Sequence, residues 1–317
     1  MTTAFVFPGQ GSQAVGMGRA LADAYLEARA VFEEVDEALG EKLSAVIFAG
    51  PEELLTRTAN AQPALMAVSI AALRALEAGG VTVARDATYV AGHSLGEYSA
   101  LAAAGSLAIA DTARLLRIRG DAMQQAVPAG EGAMAALLGL EIDVVREIAL
   151  EAAGHEVCEA ANDNAPGQVV VSGTKTAVER AVDIAKGRGA KRAMMLAVSA
   201  PFHCALMQPA AEVMAEALAQ AEIRAPAVPL VANVVARPLT DPDEIRRRLV
   251  EQVTGTVRWR ESIAWLATEG VDRFIEIGAG KVLTGLAKRT APGSVALAAG
   301  TPEDVAAVAQ ALLASRS

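Results

Sequence analysis

The sequence predicts an α/β protein: a mostly parallel sheet covered on both faces by helices, with a smaller sheet unit inserted near the middle of the chain. Two patterns predict it. Short β-favouring runs alternate with Ala/Leu-rich stretches of helical periodicity over most of the length, which is how parallel strands and their crossover helices read. Between residues 130 and 198 the order becomes strand, helix, strand, strand, helix, strand, the βαββαβ order of a ferredoxin-like unit. The chain has 317 residues, more than the ~100–150 of a typical single-core domain, so a large domain carrying an insert is expected. Apolar residues make up 53% and aromatic residues 3%, so the core must be built largely from Ala, Leu and Val.

The elements follow in order. Residues 3–7 read as a first strand and 16–39 as one long amphipathic helix rich in Ala and Glu. Residues 64–76 read as a helix, 89–91 as a buried strand and 97–104 as the helix after it. Asp111 is placed to cap a helix running to about residue 126. Pro128-Ala129-Gly130-Glu131-Gly132 is a linker-like cluster. Within the insert the runs are 133–140, 143–153, 157–161, 168–172, 176–188 and 192–198. Beyond it, 205–221 read as helical, with Pro209 tolerated only near the start. Residues 229–235 read as a strand and 243–252 as a helix. Residues 274–277 read as a last core strand running into Gly278-Ala279-Gly280. The expected units are therefore 1–129 with 199–317, and the insert 130–198.

Composition excludes several function classes. A net charge of −9 argues against non-specific nucleic-acid binding and against an anionic membrane surface. Cys158 and Cys204 are the only cysteines, outside any C-x-x-C, so a disulfide framework is not expected and a reducing compartment fits. The start of the chain has no basic segment ahead of a long apolar run, so no signal peptide is expected. Arg74 interrupts the longest Ala/Leu stretch, leaving no run of ~20 apolar residues to cross a membrane. A cytoplasmic protein is expected, and, with no coiled-coil pattern, a monomer.

Gly92-His93-Ser94-Leu95-Gly96 carries the most chemistry. It has the form G-x-S-x-G at a strand-to-helix junction, the context of a nucleophile elbow. Such a turn exposes the serine hydroxyl at the end of a strand, with the positive end of the next helix aimed at it. A Gly-rich turn with a capping serine is the bland alternative. A serine nucleophile needs a base, and the chain has three histidines. His93 sits inside the elbow, where a neighbouring side chain is expected to point elsewhere. His155 lies at a helix end in the insert. His203, in a loop far downstream and just before a helix, is by elimination the best general base. Asp163 and Asp183 precede it but belong to the insert, so a Ser94–His203 dyad is expected, with the second imidazole nitrogen on a backbone group. The dispersed histidines offer no metal-ligand spacing.

Two further motifs need weighing. Gly9-Gln10-Gly11-Ser12-Gln13-Ala14 matches a dinucleotide fingerprint after a strand, but no second strand follows soon enough to make the βαβ unit. It reads better as a glycine turn bringing backbone N–H groups toward a reacting carbonyl. Arg119 shares a helix with Leu115, Ile118 and Ala122, which are expected on one apolar face. An arginine there snorkels, pairs with a buried acid, or waits as a fork for a substrate carboxylate. The helix pattern leaves these open, with snorkelling the ordinary outcome.

Taken together the motifs resemble a known family. Phe7-Pro8-Gly9-Gln10-Gly11-Ser12-Gln13, Gly92-His93-Ser94-Leu95-Gly96-Glu97-Tyr98, Arg119-Gly120, Asn162-Asp163-Asn164-Ala165-Pro166-Gly167-Gln168, Pro201-Phe202-His203 and Gly280-Lys281-Val282-Leu283-Thr284-Gly285-Leu286 occur in the order seen in malonyl-CoA:acyl carrier protein transacylases. The resemblance covers essentially the whole chain. It implies an α/β-hydrolase-like large domain with the ferredoxin-like insert. It also implies a malonyl ester on Ser94, His203 as base and acid, and backbone N–H groups of Gln10 and Leu95 toward the oxyanion. Arg119 matches the arginine that pairs with the free malonyl carboxylate, which displaces the snorkelling reading. Gln252 resembles the glutamine whose main chain orients the histidine; Gln62 and Asn162 resemble cleft-lining residues.

Phe202 resembles the bulky residue of malonyl-selective polyketide acyltransferases, whereas discrete bacterial enzymes often carry a smaller one. Ala279 stands where proline is frequent. The implied partners are malonyl-CoA and an acidic acyl carrier protein, the latter met by local basic residues at 186–192 or at Lys288-Arg289. No cofactor is implied beyond the substrate and the phosphopantetheine arm of the acceptor. A stand-alone polyketide transferase, a serine esterase or thioesterase on the same elbow, and a non-catalytic nucleotide-binding module are the competing readings.

Overall fold

A computed structural model describes residues 1–316; Ser317, the last residue of the expected outer unit, lies outside them. The chain opens with β1 (Thr2–Phe7), then α1 (Arg19–Ala24), α2 (Leu26–Leu39), α3 (Leu43–Ala49), α4 (Glu52–Thr56), α5 (Thr58–Ala78) and α6 (Val83–Asp86). β2 (Tyr89–Gly92), α7 (Gly96–Ala103) and α8 (Ile109–Gln125) follow. The next stretch runs β3 (Gly132–Leu138), α9 (Ile142–Ala153), β4 (Cys158–Ala165), β5 (Gln168–Thr174), α10 (Lys175–Gly187) and β6 (Arg192–Met195). After a single 3₁₀ turn at Ala205–Met207 come α11 (Gln208–Gln220), β7 (Leu230–Ala232), β8 (Arg237–Leu239), α12 (Pro242–Thr254) and α13 (Trp259–Thr268). β9 (Val271–Ile277), α14 (Val282–Thr290), β10 (Val295–Ala299) and α15 (Pro302–Ala314) complete the fold.

Two sheets form, as the alternation of patterns predicts. The larger has the order β10-β9-β1-β2-β7-β8, parallel except for the β7–β8 hairpin. The smaller has the order β4-β5-β3-β6 and is antiparallel throughout. The βαββαβ order of 130–198 is thus realised as its own sheet with α9 and α10 on one face. Strand alternation splits the core around the large sheet. Phe5 and Phe7 pack into the cluster under α2, α5 and α8, while Ala4 and Val6 pack with Trp259, Ile263 and Leu286 on the other face. Both faces are buried, so the strands read as continuous apolar runs.

Several expectations need correction. The long helix of 16–39 is two helices, starting at Arg19 because Gly16 and Gly18 hold left-handed φ of 91° and 71°. It breaks at Tyr25, which is extended (φ −130°, ψ 124°) and opens α2; no Gly or Pro marks that break in the sequence. Asp111 is not a cap. Its helix begins two residues earlier, at Ile109, and Asp111 pairs with Arg114 at 3.0 Å. Ile118, expected on the apolar face, is 37% exposed, while Leu116, Arg119, Gly120 and Met123 are buried. α5 extends a turn and a half before residue 64 and accommodates Pro63 in that first part. The sequence reading leaves α13, α14, β10 and α15 unassigned. The last had a usable signal, since the Thr301 side chain accepts from the Asp304 N–H ahead of Pro302.

Candidate active site

β2 ends in the elbow and α7 leaves it. Its two glycines are required by close approach: a Cβ on Gly92 would lie 1.8 Å from the Gly96 carbonyl oxygen, and one on Gly96 would lie 2.2 Å from that of Phe7. The chain therefore turns sharply, and Ser94 takes a left-handed φ of 53°. The Gly9 turn abuts the same elbow, since a Cβ there would meet the His93 carbonyl oxygen at 2.6 Å.

A cavity of about 340 Å³ opens above Ser94. Gln10, Gln62, Leu95, Arg119, Asn162, Phe202 and His203 all line it, from loops, helices and the strand β4. Gln252 lies behind the wall, fully buried. The structure thus brings Ser94, His203, Gln10, Leu95, Arg119, Gln62, Asn162 and Phe202 to one cavity, with Gln252 directly behind it.

Ser94 Oγ lies 2.8 Å from His203 Nε2. His203 Nδ1 lies 2.9 Å from the Gln252 main-chain oxygen. A carbonyl can only accept, so Nδ1 carries the proton and Nε2 faces the serine with its lone pair. Burial, reinforced by the nearby Arg119 charge, pushes the His203 pKa down to about 3. The imidazole is therefore neutral and able to take a proton throughout the neutral pH range. Asp163 is not its partner; that carboxylate is bidentate with Arg260 at 2.9 and 3.1 Å. Asp183 is paired with Lys186 on the surface. Neither Gln10 nor Leu95 finds an acceptor for its backbone N–H among the described residues, which leaves both donors available beside Ser94.

Arg119 is 1% exposed. Its Nη1 donates to Gln62 Oε1 at 2.7 Å, and its Nη2 donates to Ser94 Oγ at 3.1 Å and Gln252 Oε1 at 2.8 Å. Its Nε has no acceptor, and the guanidinium carbon stands 5.8 Å over the Tyr98 ring. It forms no ion pair among the described residues. It neither snorkels nor bonds to a buried acid: its hydrogen bonds run to neutral oxygens, and the buried Glu97 acts on it only through its field. Burial lowers its pKa, with Tyr98 and Glu97 opposing that shift. Such a charge is costly alone and strongly favours a carboxylate within reach. A chain of side chains then fixes the fork: Gln62 Nε2 donates to Thr58 Oγ1 at 3.0 Å, and Thr58 Oγ1 donates to Gln10 Oε1 at 2.9 Å.

Other participants were not foreseen. His93 does not point away; it lines the cavity, with Nε2 2.8 Å from Asn164 Oδ1 and its ring 5.6 Å from that of Trp259. Behind the elbow, Asn233 Oδ1 accepts from the Ser94 N–H, and the Asn233 N–H in turn donates to Glu97 Oε2. Glu97 opens the helix expected over 97–104 and Asn233 lies within the strand expected over 229–235; only long-range packing joins them. The expected basic segment is partly neutralised, since Arg188 bridges Glu147 and Glu151 at 2.9 and 2.7 Å. Arg289 donates to Gln168 Oε1 and to the Pro166 carbonyl. Among the described residues no cluster of three or more His, Cys, Asp or Glu could hold a metal ion. Among the described residues no helix is long and apolar enough to cross a membrane.

Comparison with known proteins places these features in context. Residues 4–313 match the family model described as the acyl transferase domain. A malonyl CoA-acyl carrier protein transacylase of Bacillus subtilis is 47% identical over 310 residues, spanning 98% of this chain and 96% of that protein. The crystal structure of an acyl-carrier-protein-S-malonyltransferase from Bartonella henselae is 57% identical and superposes with a TM-score of 0.96, covering 98% of this chain and 99% of the other. A malonyl-transacylase solved in complex with a type II PKS acyl-carrier protein is 42% identical, with a TM-score of 0.95 over 98% of this chain and all of that one.

Proposed function

The chain belongs to the acyl transferase family, and on that premise we propose that it carries a malonyl group from malonyl-CoA to the phosphopantetheine thiol of an acyl carrier protein, supplying fatty-acid synthesis. One observation carries the reading: a neutral imidazole and a buried guanidinium with no ion-pair partner among the described residues meet within 3.1 Å of a single hydroxyl oxygen.

The chemistry runs in two half-reactions. His203 Nε2 takes the Ser94 proton as Oγ bonds to the thioester carbon. The developing oxyanion is received by the N–H groups of Gln10 and Leu95. The carbon–sulfur bond breaks, and coenzyme A leaves with the proton from His203. The carrier thiol then gives its proton to His203 and attacks the serine ester, and Ser94 recovers its hydrogen. Throughout, the Gln252 carbonyl holds Nδ1–H and so fixes the tautomer.

Arg119 selects the acyl group. A malonyl carboxylate exchanges the neutral oxygens around the guanidinium for a bidentate, charge-assisted pair. An acetyl group offers nothing in exchange and leaves the cation desolvated. Phe202 crowds the space an α-methyl substituent would need. We place the reaction in the cytoplasm, with the enzyme acting as a monomer. The likeness to a transacylase solved with a type II PKS carrier favours a discrete carrier as acceptor and supports a polyketide carrier as the second reading.

Intact-mass measurement after incubation with malonyl-CoA tests this. A malonyl adduct should form on the native chain, be absent from Ser94→Ala, and be discharged by holo-carrier protein. Prompt release of free malonate without a carrier would instead mark a hydrolase.

A further inference from the structure

Among the described residues three non-glycine positions have positive φ: Ser94 at 53°, His203 at 58° and Ala236 at 50°. Such backbone persists only where surroundings over-determine it. All three bear on one site. The first two are the proposed nucleophile and base. Ala236 closes the four-residue turn between β7 and β8, its N–H on the Ala232 carbonyl at 2.8 Å, and that turn begins with Asn233.

Asn233 reaches the elbow with both ends of its amide. Its Oδ1 accepts from the Ser94 N–H at 2.8 Å, and its Nδ2 donates to the Gly92 carbonyl at 2.7 Å. The other side of Ser94 is held as well, because Gln252 Nε2 donates to the Ser94 carbonyl at 2.9 Å. Both holders converge on one carboxylate oxygen. Glu97 Oε2 accepts from the Asn233 N–H at 3.2 Å and from Gln252 Nε2 at 2.8 Å. Glu97 is 1% exposed, and Asn233 and Gln252 are fully buried. Glu97 has no ion-pair partner among the described residues. A buried, unpaired carboxylate is a poor stabilising device, and its placement makes sense as a hub.

We propose that Glu97 and Asn233 are positioning residues for acyl transfer: Glu97 gathers the Asn233 and Gln252 amides, and these lock the peptide groups on either side of Ser94 so that Oγ stays between His203 Nε2 and Arg119 Nη2. The inference rests on Ser94 being the acylated residue. It assigns the β7–β8 turn, which lines no part of the cavity, a role in the rate of the chemical step.

Rapid-quench formation of the malonyl adduct, read by intact mass over a range of malonyl-CoA concentrations, tests it on native protein, Asn233→Ala, Glu97→Ala and Glu97→Gln. Misplacing a reacting atom by about 1 Å costs on the order of 100-fold. Asn233→Ala and Glu97→Ala should therefore slow the limiting acylation rate by about 30- to 100-fold. The half-saturating concentration and the final acylated fraction should change little. Glu97→Gln keeps an oxygen acceptor for both donors and should recover most of the rate. Native limiting rates in Asn233→Ala and Glu97→Ala would overturn the proposal. So would acylated fractions that fall in step with activity, which mark a folding defect, or a Glu97→Gln as slow as Glu97→Ala. An absence of adduct on the native chain would remove the transferase reading itself, and this inference with it.

Discussion

Replacing Arg119 by alanine gives the sharpest check on how the site chooses its acyl group. The guanidinium is buried and spends its Nη donors on Gln62 Oε1, Ser94 Oγ and Gln252 Oε1, all neutral. A malonyl carboxylate would take two charge-assisted hydrogen bonds from it. At ~1.5–3 kcal/mol each these amount to about 3–6 kcal/mol, or on the order of 10²–10⁴ in acylation efficiency. An acetyl group makes neither bond. It should suffer only through the lost donor to Ser94 Oγ, within about tenfold. Acylation efficiencies with malonyl-CoA and acetyl-CoA, measured side by side by intact mass, should therefore show the malonyl preference collapsing in Arg119→Ala. Arg119→Lys keeps a cation but not the planar fork and should fall between the two. Equal losses for both acyl groups would refute the reasoning and make Arg119 a purely structural residue.

Two further outcomes concern stability. Burial raises the Glu97 pKa to about 7, against an ordinary value of 4.5, with Gln252, Asn233 and Arg119 opposing the shift. The folded protein thus holds a proton there that the unfolded chain has lost, and the group destabilises the fold increasingly as pH rises from 4.5 to 7. His203 works in the opposite sense, costing stability as pH falls from 6.5 toward 3. The two offset each other between 4.5 and 6.5, so denaturant titrations should compare Glu97→Gln with the native protein rather than follow either alone. Any advantage of the variant at pH 8 should shrink by about 3 kcal/mol by pH 5, and a difference independent of pH would contradict the assignment. Gly120→Ala would place a Cβ 2.5 Å from the Ala59 Cα and 2.8 Å from the Thr58 carbonyl oxygen. Separating α8 from α5 in this way should cost about 1–3 kcal/mol and shift Arg119 from Gln62; an unchanged melting temperature would refute the close packing.

Much of the architecture is written locally. The short apolar run of β1 and the βαββαβ run of 130–198 announce the two sheets, because a strand buried on both faces reads as an unbroken apolar run and the helices between strands bury at their own period. The elbow is equally local, since G-x-S-x-G at a strand-to-helix junction specifies the glycines the turn needs. Breaks without Gly or Pro, such as Tyr25, are not local. They arise where packing against a distant partner outweighs propensity.

The sequence by itself determined the alternating strand–helix pattern with its inserted βαββαβ unit, the serine at the turn and, by the scarcity of histidine, His203 as the best candidate base. Family likeness supplied the fork of Arg119 and the main chain of Gln252, which periodicity alone could not distinguish from packing residues. Tertiary structure alone decided that Arg119 has no ion-pair partner among the described residues, that His93 faces the cavity, and that Asn233 and Gln252, both bonded to Glu97, grip the elbow. Charge pairing and burial depend on which atoms lie within a few ångströms, and here those atoms come from residues as far apart in the chain as 71 positions for His93 and Asn164 and 136 for Glu97 and Asn233.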